Sequence, residues 1–446
     1  MFKKGKTLNT NISKKIVIIG GGLSGLITGI LLLKENHDVT IIEKNDFLGG
    51  KIKLLSNNNY PFIIYEVDKF NEIIQEIELK NDYLLPFSLH NFNNNINVFK
   101  DFLYQNSLDD EAKIKEILDE IKSKKINKKY SSITIKDFLN DIKSKEIKEK
   151  LSIVLNNSLS FSSLIEYLKL YFNNNISCLK NTFIDDLVSH YINLGGKYSF
   201  KKEVVSFAFD KKNEAKSITF IDKTSMEADY FISSIDPYIT LSKLLKNKFK
   251  HVLPIIYNDF MNNHFDTRLI LMFAINKTFE YNNINVIVDD LKFNTSRVNF
   301  VTFKKSLNNK YLYCEIDQNY NDYDYLKILS SKNKLYLENQ ERVIKDVISI
   351  FNDNFKGYKI SFKEMISSID IENKFQSYKG MLMGFKETPK NNKFICECSI
   401  KSLKNVFITS PVLLFNGDIT SSLISSKQTI KVLKEEMKWE KRKNLT

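Results

Sequence analysis

Between residues 16 and 43 the chain is committed to one kind of local structure. A β-branched run, Ile16-Val17-Ile18-Ile19, leads into Gly20-Gly21-Gly22-Leu23-Ser24-Gly25, and a second such run, Val39-Thr40-Ile41-Ile42, ends at Glu43. β-Branched side chains suit a pleated strand, and the glycines satisfy G-x-G-x-x-G at Gly20, Gly22 and Gly25. The first glycine permits the tight turn after the strand, the second leaves room for a pyrophosphate, and the third lets the following helix pack closely on the sheet. Leu23 and Ser24 open that helix, whose free N–H groups and dipole favour phosphate. Glu43 follows at the spacing expected of an acid that accepts ribose hydroxyl hydrogens. The uncharged run 16–33, preceded by lysines and carrying Gly21, Gly25 and Gly29 at four-residue steps, also resembles a membrane span or signal peptide by hydropathy. A buried parallel strand with its crossover helix is apolar on nearly every side and gives the same signal. Strand, glycine turn, helix and strand account for the whole run, so a dinucleotide-binding βαβ unit is expected and a membrane span is not.

The remaining 400 or so of the 446 residues are enough for two or three lobes at the usual domain size. With 43% hydrophobic and 27% charged residues, a folded soluble protein is expected. The net charge of +13 comes almost wholly from lysine; the arginines are Arg268, Arg297, Arg342 and Arg442. No nucleic-acid module accompanies it, so no nucleic-acid partner is expected. The charge reads as a solvated lysine surface, with attraction to acidic headgroups as the alternative. Four cysteines, Cys178, Cys314, Cys396 and Cys398, are too few for a disulfide scaffold and suit a reducing compartment. Cys396-Glu397-Cys398 lacks a second ligand pair, and His37, His90, His190, His251 and His264 show no ligand spacing. No metal is expected.

The residues after Glu43 distinguish one dinucleotide from another. The stretch Glu43-Lys44-Asn45-Asp46-Phe47-Leu48-Gly49-Gly50-Lys51 resembles the E-x5-G-G-R segment of FAD-containing amine oxidases and phytoene desaturases. That resemblance implies FAD, with Lys44, Gly49, Gly50 and Lys51 beside its diphosphate. Lys51 stands where arginine is usual; it keeps the charge and loses the bidentate fork.

Beyond Tyr65 apolar residues recur at three- and four-residue steps over 69–79, 109–122, 135–155 and 164–172, which predicts an inserted helical lobe. A further helix is expected over 182–194, followed by strands near 198–200, 204–209, 215–221 and 230–234. Gly195-Gly196, the strand at Val204-Val205, and Ser233-Ser234-Ile235-Asp236-Pro237 before a leucine-rich helix are similar, in this order, to phytoene desaturase-related FAD oxidoreductases. The resemblance implies that Val204 meets adenine through its backbone. An Asx-Pro turn explains Asp236-Pro237 alone, though not the order of the pieces. Strands near 269–275, 284–288 and 311–316 and a helix near 339–354 predict a substrate-facing lobe. Phe375-Gln376-Ser377-Tyr378-Lys379-Gly380, running on to Gly384-Phe385, and the stretch from Asn405 through Gly417, Asp418 and Ile419 to Lys427 resemble the family's two segments beside the flavin ring.

Departures accompany these matches. Asn59-Tyr60-Pro61-Phe62-Ile63-Ile64-Tyr65-Glu66 lacks the acid and final glycine of the family's G-F-x-F-D-x-G-P, and Ser410-Pro411 and Asn416-Gly417-Asp418 replace glycine-rich turns. Side chains at Tyr65, Ser410 and Asp418 are therefore expected to crowd the ring, with FAD held less tightly than in the family at large.

The expected fold is α/β: a discontinuous Rossmann-like FAD-binding domain over 1–70, 181–245 and 395–446, an inserted helical lobe over 71–180, and a mixed α+β substrate lobe over 246–394. The resemblance implies an oxidoreductase that desaturates, saturates or isomerises an apolar isoprenoid or polyene. A catalytically silent dinucleotide-binding protein and an amine-oxidising flavoenzyme are the alternatives. A cytoplasmic protein is expected, touching the inner membrane face at most peripherally. No side chain is assigned a catalytic role; Asp418 and Lys427 fall near the expected ring but read as turn and helix positions. Substrate, electron acceptor and oligomeric state carry no sequence signal.

Overall fold

Five strands drawn from three distant stretches of chain build one parallel sheet in a computed structural model. The structure describes residues 13–79, 82–87, 89–91, 110–123, 125–145, 147–148, 151, 159–173, 176–245, 267–293, 296–318, 320–382, 384, 389, 398–400, 403–414 and 417–443. The sheet order is Val406–Ile408, Tyr230–Ser233, Lys15–Ile19, Asp38–Ile42, Lys197–Ser199, all parallel. Side chains alternate between the two faces of a strand. Ile16 and Ile18 thus enter a core with Leu26, Ile30, Leu187, Tyr191, Leu423 and Ile430 from the helices Leu23–Leu33, Phe183–Asn193 and Ile419–Lys443. Val17 and Ile19 enter a second core with Phe207, Ile218 and Phe231 under the small antiparallel sheet of Val204–Phe209, Ala215–Phe220 and Ser225–Glu227. Both faces of the first strand are covered, which is why its sequence is apolar throughout.

A six-stranded sheet forms the second lobe, in the order Ile360–Ile366, Thr267–Ile275, Tyr311–Gln318, Ser296–Lys305, Asn283–Phe293, Leu89–Asn91. Its alternation assigns two roles. Leu271, Phe273, Phe303, Cys314 and Ile316 pack against Val343, Val347 and Phe351 of the helix Asn333–Asn354. The opposite face presents Ile270 and Tyr313, which meet Leu55 and Tyr60 of the half built on the parallel sheet. Three of these strands were expected. Ser296–Lys305, Ile360–Ile366 and Leu89–Asn91 were not: the first mixes Arg, Asn and Thr with its apolar residues, the second is an edge strand with exposed Phe362, Lys363 and Glu364, and the third is only 3 residues long.

The helices Glu111–Lys122, Ile135–Asn140 and Phe161–Asn173 bury a separate core in which the Phe138 and Phe161 rings stack with centroids 3.6 Å apart. The helix expected over 135–155 ends at Asn140, and residues 152–158 lie outside the described set. Ile77, Tyr83 and Leu179 pack with the parallel sheet's core rather than with these helices, so chain on both sides of the helical insertion packs with the parallel-sheet half. Among the described residues, no helix is long and apolar enough to cross a membrane and no group of His, Cys, Asp and Glu could hold a metal. Cys178, Cys314 and Cys398 are buried free thiols; Cys396, His251 and His264 lie outside the described residues, as do Phe385, Phe415 and Asn416.

Candidate functional site

The carboxyl ends of the parallel strands open into a cleft of about 1640 Å³, counting its solvent-open mouth. This is where an open α/β sheet binds its ligand. Gly20, Gly22, Leu23, Ser24, Glu43, Lys44, Gly49, Gly50, Lys51, Val204, Gly417, Asp418 and Ile419 all border it; of the residues expected at the cofactor, Gly25 alone does not. The glycines explain the difference. Gly20 turns the chain with φ +103°. A Cβ at Gly25 would lie 2.2 Å from the Gly20 carbonyl oxygen, so this glycine serves helix–strand contact, whereas a Cβ at Gly22 would meet nothing within 4 Å. Gly22 is also the N-cap of the first helix, without a side-chain cap and without an acid in the first turn. No acid of its own first turn therefore competes for its leading N–H groups. Gly49 and Gly50, both in the left-handed region at φ +105° and +56°, bring the next turn against this one: the Gly49 N–H donates to the Gly21 carbonyl at 2.7 Å.

Glu43 is buried and already accepts three hydrogen bonds. Its Oε2 takes the Gly21 N–H at 2.8 Å, and its Oε1 takes the backbone N–H and side-chain amide of Asn45 at 2.9 and 3.0 Å. A carboxylate has about four acceptor positions, so Glu43 both pins the fingerprint turn and retains capacity towards the cleft. Glu43→Ala is expected to weaken ADP and FAD binding by about 1–3 kcal/mol through a lost charged hydrogen bond and to lower the melting temperature as well. Titration of both ligands checks this; unchanged affinity removes Glu43 from the site. Burial lowers the Lys44 pKa, while Glu203 and Glu43 oppose that. Val204 lies beside this acidic pair, at the start of its strand.

Lys51 borders the cleft and also ties its own segment to a distant turn. Its ammonium donates to Ser377 Oγ at 2.6 Å and to the Met381 carbonyl at 2.8 Å, and burial lowers its pKa to about 8 against the pull of Asp236. Asp236, its carboxyl raised by burial, accepts the Tyr238 N–H through Oδ1 and the Tyr378 N–H through Oδ2, each at 2.8 Å. The Asp-Pro turn thus caps its own short helix and also clamps the 377–381 turn over the cleft.

The ring-side segments differ from expectation. Asp418, whose carboxyl burial also pushes up, folds onto the last helix, Oδ1 accepting from the Ser421 N–H and hydroxyl at 2.7 Å each. Ser410 accepts the Val412 N–H at 3.3 Å. Both side chains make these local hydrogen bonds while bordering the cleft, as Tyr65 also does. Gly417 and Gly384 cross closely, a Cβ at Gly384 falling 2.8 Å from the Gly417 backbone. Lys427 is remote, paired with Glu72 and Glu76 at 3.1 and 2.7 Å. Ser24, Ser234 and Thr420 carry buried hydroxyls with no partner, two of them at the cleft. Orphaned hydroxyls of this kind cost about 1–3 kcal/mol each unless a ligand satisfies them, which fits phosphate and ribose oxygens.

The sequence reasoning missed the opposite wall. Arg268 and Lys304 border the cleft from the six-stranded sheet and converge on Glu315. Arg268 meets Glu315 at 3.2 Å and Asp317 at 2.7 Å, Lys304 meets Glu315 at 2.6 Å, and the Tyr60 hydroxyl donates to Glu315. Burial alone would raise the Glu315 carboxyl, but Lys304 and Arg268 outweigh it and hold it below its ordinary value. A signal was present: a lone glutamate inside Leu312-Tyr313-Cys314-Glu315-Ile316 is a charge in an apolar strand and so needs a buried partner.

Residues 18–69 match the NAD(P)-binding Rossmann-like domain family. Phytoene desaturase of Fusarium fujikuroi is 36% identical over 73 residues, which cover 15% of this chain and 13% of the relative; that match reaches well under two thirds of the relative's length. The fold likeness is far broader. A crystal structure of an oxidoreductase from Methanosarcina mazei superposes with a TM-score of 0.62 at 15% identity, over 94% of this chain and 100% of that one. A redesigned putrescine oxidase superposes with a TM-score of 0.60 at 11% identity, over 95% and 99%.

Proposed function

We propose that this chain is an FAD-dependent oxidoreductase acting on a largely apolar molecule such as a polyene. The observation that carries the reading is the open face at Gly22, framed by unpartnered Ser24 and by Glu43, in a cleft whose far wall belongs to a second lobe. One side suits a dinucleotide and the other is left for a substrate. FAD is favoured over NAD by the Gly49-Gly50 turn lying against the fingerprint, in the stretch that resembles the E-x5-G-G-R segment. When bound, the flavin would supply two-electron chemistry. The protein's part is placement: N–H groups of the first helix and Glu43 hold the adenosine diphosphate end, while Leu55, Phe62, Ile63, Leu382 and Val412 exclude water from the substrate side.

The test is the visible spectrum of the protein as purified, followed by anaerobic addition of an acyclic polyene. Flavin absorbance that bleaches, or re-forms from reduced flavin, supports the reading. A colourless protein that binds ADP but not FAD overturns it in favour of a silent dinucleotide-binding protein. Amine oxidation is less well supported, because the buried carboxylate of the substrate wall is already engaged by two cations.

An apolar substrate would be drawn from a bilayer, and one tip of the second lobe suits such contact. Ile328, Leu335 and Leu337 are 63%, 46% and 54% exposed on consecutive helices, next to Lys332 and Lys334. Binding to vesicles containing an anionic phospholipid is expected to fall steeply with added salt, since exposed charges are screened within about 8–10 Å. Retention in high salt with release only by detergent would overturn a peripheral contact.

A further inference from the structure

The wall of the cleft opposite the fingerprint is not the wall a pure hydrocarbon needs. Lys304 is 5% exposed and Glu315 4%. They stand on neighbouring antiparallel strands, Lys304 opposite Tyr313 and Glu315 two residues further along, on the face turned to the cleft. Arg268 reaches the same carboxylate from the third strand, and its Nε goes to Asp317, which is on the solvent side and 45% exposed. The wall therefore holds two cations and two carboxylates, with Lys304 paired only to the buried one. The Lys304 ammonium has three donors but pairs with one carboxylate oxygen, at 2.6 Å, and otherwise lies 5.6 Å from the centroid of the Tyr60 ring. Burying such a group costs several kcal/mol, and apolar side chains of similar volume would often stabilise the fold as well or better. A wall built only for packing would not retain it.

We infer that the substrate is an apolar molecule bearing a carboxylate, whose head docks on Lys304 with Arg268 beside it. The proposal rests on the substrate side of the cleft assigned above and narrows its class from a hydrocarbon to an apolar acid. Two features support it: the two Lys304 donors that no acceptor takes up among the described residues, and the apolar lining of Phe62, Ile63 and Leu382 that would take the chain. Burial lowers the Lys304 pKa while Glu315 opposes it; a second carboxylate would favour the charged form further.

The test uses the full chain as purified and three probes that share an apolar body: oleate, oleyl alcohol and squalene. Calorimetry should give oleate at least tenfold tighter binding than oleyl alcohol, with squalene weaker than oleate. Lys304→Met should erase that preference while leaving oleyl alcohol and ADP within about twofold of the parent. Lys304→Arg should restore most of the preference. If Lys304→Met does not fold, Lys304→Gln, which keeps a donor without charge, should reduce the preference in the same direction. Equal affinity for oleate and oleyl alcohol, or a preference that survives both neutral variants, overturns the carboxylate head. ADP and flavin binding are read separately, so their loss would overturn the cofactor reading alone, and their retention with no oleate preference would overturn this one alone.

Discussion

Gly22→Val is expected to abolish ADP and FAD binding while leaving the melting temperature within a few degrees of the parent. The reason is geometric: a Cβ at Gly22 meets no protein atom within 4 Å, so the valine side chain costs the fold little and instead occupies the approach of a pyrophosphate to the helix N-terminus. Gly25→Ala is the matched opposite. Its new methyl would lie 2.2 Å from the Gly20 carbonyl oxygen and 3.0 Å from the Ser234 hydroxyl, and backbone cannot step aside as a flexible side chain can. Overpacking of this kind costs about 1–3 kcal/mol or more, so the expected result is a clear drop in melting temperature accompanied by weaker binding. Thermal melts and ADP titration of the two variants decide the matter. Equal destabilisation by both, or retained ADP binding in Gly22→Val, would show that the turn does not face its ligand as described.

Glu315→Ala should be the most destabilising single change in the second lobe, by about 3–5 kcal/mol, because it leaves the Lys304 and Arg268 charges without their shared buried partner. The double variant Glu315→Ala with Lys304→Met should recover part of that loss, since the pair then disappears together. The acid limb of the stability profile gives a second readout. The folded-state carboxyl of Glu315 lies below its ordinary value, so its contribution is complete above the unfolded value of about 4.3 and is lost as pH falls through the lower, folded one. The parent should therefore lose stability more steeply below about pH 4.3 than the double variant does. A Glu315→Ala protein as stable as the parent would mean that the cluster is solvated rather than buried.

How much of this was legible in the sequence depends on whether the signal is local. The βαβ unit was, because the strand, the glycine turn, the helix and Glu43 are consecutive and each restricts the next. Asp236-Pro237 was legible as a turn, but its second role, holding the Tyr378 N–H, joins residues 142 apart, and no spacing rule reaches that far. The same applies to Lys51: its position beside Gly50 suggested a phosphate contact, while its partners Ser377 and Met381 come from a turn more than 320 residues away. Asp418 was incompletely legible for a different reason. A side chain in place of glycine suggested crowding, yet an aspartate at a helix start can satisfy the first-turn N–H groups instead, and here it does so through Ser421. The Arg268–Glu315–Lys304 cluster was hidden because strand register, which a single sequence does not reveal, decides which alternating residues meet.

The order in which the parallel sheet is assembled constrains how the protein can be made. Its first strand, Lys15–Ile19, sits between strands at 38–42 and 230–233, and the sheet closes only when Val406–Ile408 adds beside Tyr230–Ser233. Contacts this distant in sequence form slowly, because the loop entropy of the intervening chain must be overcome first. During synthesis, the βαβ unit would wait for most of the translation time with its apolar strands uncovered on one edge, a state prone to association. The helix that finishes the cleft, Ile419–Lys443, follows Val406–Ile408 in the chain. A chain interrupted before Val406 would therefore lose the sheet's closing strand and one wall of the cleft together, although the fingerprint remained intact.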